Sequence, residues 1–221
     1  MGRRPDSDFQ KKINRQAVSL FFRKIKEADR IAISGHINPD GDCVGACLGL
    51  CTYILDLDPA KKVDIFLEPI SEKFRFLKHA DKILQEKPDE EPYDLYFSLD
   101  CSDPERLGAF REEFEKAEFK ICVDHHISNQ GFGDLTFIDA EASSTCEILY
   151  DIFEEKEISF DTVQCLYLGI VHDTGVFKHS NTTRKVMEIA GVLIEKGVRP
   201  DFIIDETFYK KTYIQNQILG R

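Results

Sequence analysis

Three short runs in this sequence are almost wholly apolar: RIAIS at 30–34, DLYFSL at 94–99 and FKICV at 119–123. A strand with one face in water alternates apolar and polar residues, whereas a strand that is apolar throughout has both faces covered. Stretches with helical periodicity separate these runs. Ala17, Val18, Leu20, Phe21 and Ile25 share one face of a helix over 14–29, small residues fill a helix at about 42–55, and 104–118 is helical and charged. Buried strands alternating with helices predict an α/β fold, with a mostly parallel, Rossmann-like sheet and helices on both faces. KVDIFL (62–67) adds a strand and LTFID (135–139) a short one. A polar helix is expected at 72–85 and a loop at 87–92. Ser143 or Ser144 should cap a helix running to about 155, with helices at 161–173 and 183–196 after it. Pro200 and Asp201 begin a last helical piece, expected to reach Arg221.

Sheets of this kind bind ligands beyond the carboxyl ends of their strands, and the polar residues of this chain collect there. His36 follows the first strand, with Asp40 and Asp42 on the loop behind it. Asp100 ends DLYFSL, while Asp124, His125 and His126 end FKICV. Asp173 sits where a helix meets a glycine-bearing loop. Carboxylates and imidazoles without an obvious thiolate suit a hard divalent ion, Mn²⁺ or Mg²⁺, better than a structural zinc. Six of these groups, His36, Asp40, Asp42, Asp100, His125 and Asp173, exceed what one hydrated ion needs. Two ions ~3.5–4 Å apart sharing a carboxylate would use them all, and such a pair suits phosphoryl displacement.

Single residues of the same types have blander roles. Asp103, Asp139 and Asp161 are expected to be turn formers or caps, and His79, His172 and His179 structural. Cys43, Cys47 and Cys51 share a helical face; buried, inert packing is the expectation for them, ahead of a soft-metal or redox site. The formal net charge is −11. A chain that grips long nucleic acid carries a basic footprint, so a nucleic-acid substrate of this one should be short. No apolar stretch approaches the ~20 residues of a membrane helix, and MGRRPDSDFQKK lacks the apolar core of a secretory signal. A cytoplasmic chain with no membrane partner is expected.

Four blocks carry a resemblance: GHINPDGDCVGA (35–46), SLDCSDPERLG (98–108), VDHHISN (123–129) and GIVHDTGVFKHSNTT (169–183). In this order they resemble the DHH phosphoesterase superfamily, over about residues 14–220. Within it the chain looks most like the nano-RNase group, bifunctional oligoribonucleases and phosphatases of 3′-phosphoadenosine 5′-phosphate (pAp). The resemblance implies hydrolysis of very short oligonucleotides, linear dinucleotides or pAp, with two divalent ions, Mn²⁺ by preference. One ion would take His36, Asp40 and Asp100; the other would take Asp42, Asp100, His125 and Asp173, with Asp100 shared. Asp124 would orient a histidine, and His126 would face the substrate phosphate as hydrogen-bond donor or general acid. Backbone N–H groups near Gly45 and Ala46 would meet a phosphate at a helix N-terminus. Ser180, Asn181 and Thr182 would shape a loop and cap the next helix.

The same resemblance implies a catalytic domain over 1–208. Residues 209–221 would then start a linker to a C-terminal, DHHA1-type substrate-binding domain whose glycine-rich, histidine-containing motif is not in this sequence. The alternatives are a phosphohydrolase like family II inorganic pyrophosphatase and a nucleotide-binding module without catalysis. A homodimer is left open. A dinucleotide-binding domain is excluded, because 35–47 lacks G-x-G-x-x-G after the first strand.

Overall fold

The structure, a computed structural model, describes residues 14–88 and 91–210. All six of its strands are parallel, in the order β3-β2-β1-β4-β5-β6. They are β1 (Arg30–Ser34), β2 (Lys62–Phe66), β3 (Ile83–Leu84), β4 (Leu95–Leu99), β5 (Phe119–Asp124) and β6 (Leu135–Ile138). From β1 the chain passes through α2 (Gly41–Leu57) to β2 and β3 on one side. From β4 it passes through α3 (Arg111–Lys116) to β5 and β6 on the other. Right-handed crossovers running in opposite directions put α2 and α3 on opposite faces of the sheet. Strand order reverses between β1 and β4, and a crevice opens at such a reversal beyond the strand ends.

The two faces are unequal. Alternate residues of each strand point to opposite sides. Ile31, Ile33, Phe97, Leu99, Ile121 and Val123 join the larger core, packed under α1 (Arg15–Glu27), α2, α4 (Thr145–Ile152), α5 (Phe160–Asp173) and α6 (Arg184–Glu195). On the other side Ala32 and Tyr96 join Phe66, Tyr93, Phe110 and Phe114, a thin aromatic layer covered by α3 and the segment before it. Phe66 stacks on Phe110 with ring centroids 5.0 Å apart. Aromatic bulk there replaces a second helical layer.

Three expectations for elements change. The helix expected at 72–85 is two short 3₁₀ turns, Glu72–Phe74 and Ala80–Lys82, followed by β3 on the sheet edge. His79 between them takes a left-handed conformation (φ 67°), which a continuous helix does not tolerate. The 104–118 stretch is broken at Gly108 (φ 57°, ψ −127°) into a 3₁₀ segment and α3. The last helical piece is α7 (Pro200–Ile204) with one π-type turn, Asp205–Tyr209. The remainder of that expected helix, and the proposed linker from residue 211 onward, lie outside the described residues. No helix among the described residues is long and apolar enough to cross a membrane.

Candidate metal centre

The crevice between β1 and β4 brings together the residues that the sequence scatters over 137 positions, from His36 to Asp173. His36 leaves β1 with its ring buried. Its Nδ1 lies 2.7 Å from the Ile37 carbonyl oxygen. A carbonyl only accepts, so Nδ1 carries a hydrogen there and Nε2 is the atom turned inward. Nε2 is 3.4 Å from Asp100 Oδ2 and 3.8 Å from Asp40 Oδ2. Asp40 is also the N-cap of α2: its Oδ1 accepts from the amides of Asp42 (3.0 Å) and Cys43 (3.1 Å). One oxygen starts the helix and the other faces the crevice.

Asp100, 2% exposed, is central. It follows β4 in a left-handed conformation (φ 58°) that aspartate adopts more readily than most residues. Its Oδ2 points to His36, and its Oδ1 is 3.5 Å from His125 Nε2. The Thr145 hydroxyl donates to Oδ1 at 3.1 Å. His125 Nε2 also lies 3.0 Å from Asp173 Oδ2, at the end of α5. Asp42, wholly buried, completes this side; ligand atoms of Asp42, His125 and Asp173 all lie within 4.8 Å of one another. Both Asp42 oxygens also take amides of the first turn of α4, Oδ2 from Thr145 (2.6 Å) and Oδ1 from Cys146 (3.0 Å). A carboxylate has about four lone-pair positions, so these two bonds leave room for an ion.

His126 has another partner. Its Nδ1 donates to Asp124 Oδ1 at 2.7 Å, and Asn129 Nδ2 donates to Asp124 Oδ2 at 2.8 Å. Both oxygens of Asp124 are therefore engaged, one of them in fixing His126, whose half-exposed ring turns Nε2 away from this bond.

Protonation in this cluster follows from crowding. Burial would push His36 and His125 down, but the carboxylates around them outweigh it and raise both to about 11. Burial, with the negative charges of Asp100 and Asp173, pushes Asp42 well up. Asp173 is raised by burial against the opposing hydrogen bond from His125. Asp100 is lowered, its two imidazole neighbours overcoming its burial. Four carboxylates and two imidazoles surround one crevice, with His36, Asp42 and Asp100 buried. Divalent cations stabilise such a set, and protons must otherwise neutralise it. These donors fit an ion pair of the kind expected.

One site expectation is corrected. Gly45 and Ala46 are not at a helix N-terminus but a full turn inside α2, both wholly buried. A Cβ at 45 would lie 2.5 Å from the Cys165 carbonyl oxygen, so this glycine serves the close approach of α2 and α5. In the first turn of the helix, the amides of Asp42 and Cys43 are already taken by Asp40. The cap of α6 is likewise Thr183, whose hydroxyl accepts from Val186, rather than residues 180–182. Asn181 instead donates to the carbonyls of Ser143 (3.1 Å) and Asp173 (3.2 Å), fixing the end of α5. Asp103 is a cap, as expected, and all seven cysteines are free and buried.

A family model, "DHH family, N-terminal domain", matches residues 30–170. The chain belongs to the DHH family. A Bacillus subtilis (strain 168) relative, named bifunctional oligoribonuclease and PAP phosphatase NrnA, is 32% identical over 181 residues, covering 79% of this chain and 55% of that protein. This chain thus spans about half the length of the curated relatives it matches. Among solved structures, an exopolyphosphatase-related protein from Bacteroides fragilis has a TM-score of 0.85 at 24% identity, over 95% of this chain and 65% of that one. RecJ from Thermus thermophilus, solved in complex with Mn²⁺, has a TM-score of 0.50 at 15% identity, over 88% of this chain and 31% of that one. Both structural likenesses show the fold alone.

Proposed function

We propose that this chain is the catalytic part of a phosphoesterase with two divalent ions, which hydrolyses very short oligonucleotides and pAp. The observation that carries this reading is Asp100, a buried carboxylate with one oxygen toward His36 and the other toward His125. His36, Asp40 and Asp100 would hold one ion, and Asp42, Asp100, His125 and Asp173 the other. The name of the Bacillus subtilis relative supports the substrate class, and the manganese in RecJ supports Mn²⁺.

When bound, such ions supply positive charge to the phosphoryl oxygens and an acidified water near neutral pH. The rest of the chemistry belongs to the chain. Asp124 holds the His126 ring by Nδ1, which lies 3.7 Å from Asp100 Oδ1, and leaves Nε2 out of that bond. The hydrogen bond to Asp124 also raises His126 above its ordinary value, so the ring keeps a proton to give to the leaving oxygen or to a phosphoryl oxygen. Thr145 and the α4 amides lock Asp100 and Asp42 in place before substrate arrives, which is the preorganisation that phosphoryl transfer needs.

The test offers pAp, a 5′-phosphorylated dinucleotide and pyrophosphate side by side with Mn²⁺, measuring phosphate and mononucleotide release. Release from either nucleotide substrate is expected. Release from pyrophosphate alone would favour the pyrophosphatase-like alternative. Two ions bound without turnover would favour a nucleotide-binding module.

A further inference from the structure

Of the seven buried cysteines, Cys43 differs in its surroundings. It lies in the first turn of α2, three residues after Asp40, whose side chain accepts its amide. Its sulfur, a nitrogen of His36 and an oxygen of Asp100 all lie within 4.8 Å of one another, and all three residues are buried. Among the described residues this is the one such group that contains a thiol. Cys146 borders the other side of the centre and belongs to no such group; its sulfur lies 3.8 Å from the Asp42 backbone oxygen, as the Cys43 sulfur lies 3.9 Å from that of His36. The chain also makes room for the Cys43 sulfur: a Cβ at Gly35 would lie 2.2 Å from it. The two halves of the centre thus have different donor chemistry. One has imidazole, carboxylates and a sulfur; the other has imidazole and carboxylates alone.

We propose that Cys43 is a sulfur donor to the His36–Asp100 side of the centre, so that this side selects a thiophilic divalent ion such as Zn²⁺, Fe²⁺ or Co²⁺ while the Asp42–His125–Asp173 side takes a harder one. Thiolate favours such metals, whereas carboxylate favours harder ions. An ion bound within reach of the sulfur displaces the thiol proton to solvent, because a coordinating thiol is deprotonated by its metal. The inference rests on the two-ion reading given above and adds that the pair is mixed.

The test is optical and needs no turnover. The full chain is stripped of metal and titrated with Co²⁺, following stoichiometry and the near-ultraviolet thiolate-to-cobalt charge-transfer band. Two ions per chain are expected, with a band equivalent to a single thiolate. Cys43→Ser, nearly isosteric, and Cys43→Ala should both remove the band while two ions still bind. Cys47→Ser, a buried thiol one turn further along α2, should leave it intact. In competition, Cys43→Ser should lower the preference of the first site for Zn²⁺ over Mn²⁺ by about tenfold or more. Two bound Co²⁺ ions with no band, or a band that survives in Cys43→Ser, overturns the role of Cys43 and leaves the two-ion reading standing. A wild-type chain that binds no Co²⁺ overturns both.

Discussion

The two halves of the centre meet at Asp100 and are assembled in different ways. His36, Asp40 and Cys43 come from eight consecutive residues, the loop after β1 and the first turn of α2, and Asp40 caps that helix. Asp42, His125 and Asp173 come from α2, the end of β5 and the end of α5, and Asp42 is held by the first turn of a fourth element, α4. The first half forms when a loop closes; the second exists only when the sheet and its helices have packed. A shared acid then couples a local site to a global one.

The most severe way to break this comparison is to remove what the halves share. Asp100→Asn keeps a residue that tolerates φ 58° but should lose both ions. Its turnover should fall by on the order of 10³-fold or more, the scale seen when a preorganised group at a reacting centre is lost. Wild-type turnover with Mn²⁺ in this variant would sink the shared-acid arrangement.

Separating the halves comes next. Asp173→Asn should release one ion, and Asp40→Asn should weaken the other by about 10²-fold while keeping the α2 cap, since asparagine caps as well as aspartate. Isothermal titration with Mn²⁺ would read the two variants. Equal loss of both ions in each would mean the halves are not separable.

A smaller effect is expected where the chain acts through an orienting residue. Asp124→Asn should lower kcat by about 10–100-fold with two ions still bound, because it loosens His126 and touches no ligand. The pH–rate profile should shift with it, since the Asp124 hydrogen bond is what raises His126. Loss of a metal in this variant would assign Asp124 a different role.

The smallest and most gradual effect is on the stability of the metal-free chain. His36 and His125 rise from 6.5 to about 11 on folding. The folded state therefore binds more protons than the unfolded state between those values. The stability this contributes is complete below about pH 6.5 and is lost as pH rises toward 11. Metal-free chain should melt at lower temperature as pH rises from about 7 to about 10, while metal affinity rises over the same interval because the ion no longer competes with protons. A melting temperature that is flat with pH in the absence of metal would contradict the protonated pair.

The same comparison explains what could be read before the structure. The strands and the polar residues at their ends were legible because burial on both faces leaves an unbroken apolar run, and the chain must turn where that run stops. The local half was legible as residue types in one short run, and Cys43 is buried in the core, as expected of it. The global half was legible only as a set of residue types. That α4 amides hold Asp42, that Thr145 bonds Asp100 and that Asn129 bonds Asp124 are contacts across up to 104 positions, and no periodicity encodes them. Gly45 and Ala46 were misplaced because the helix begins at Gly41, four residues earlier than a phosphate site there requires. The helix expected at 72–85 failed because Phe74, Leu77 and Ala80 repeat every three residues, which suits short 3₁₀ turns as well as an α-helix.

Asp42 differs from Asp173 in one further respect. Its two oxygens close the first turn of α4, so the fold would keep this residue whether or not an ion ever bound. Asp173 reaches across the crevice to His125 with its side chain and caps nothing. A descendant that had abandoned catalysis would be free to lose Asp173 while still obliged to retain Asp42. In a lineage of such chains, the first aspartate would record ancestry and the second would record use.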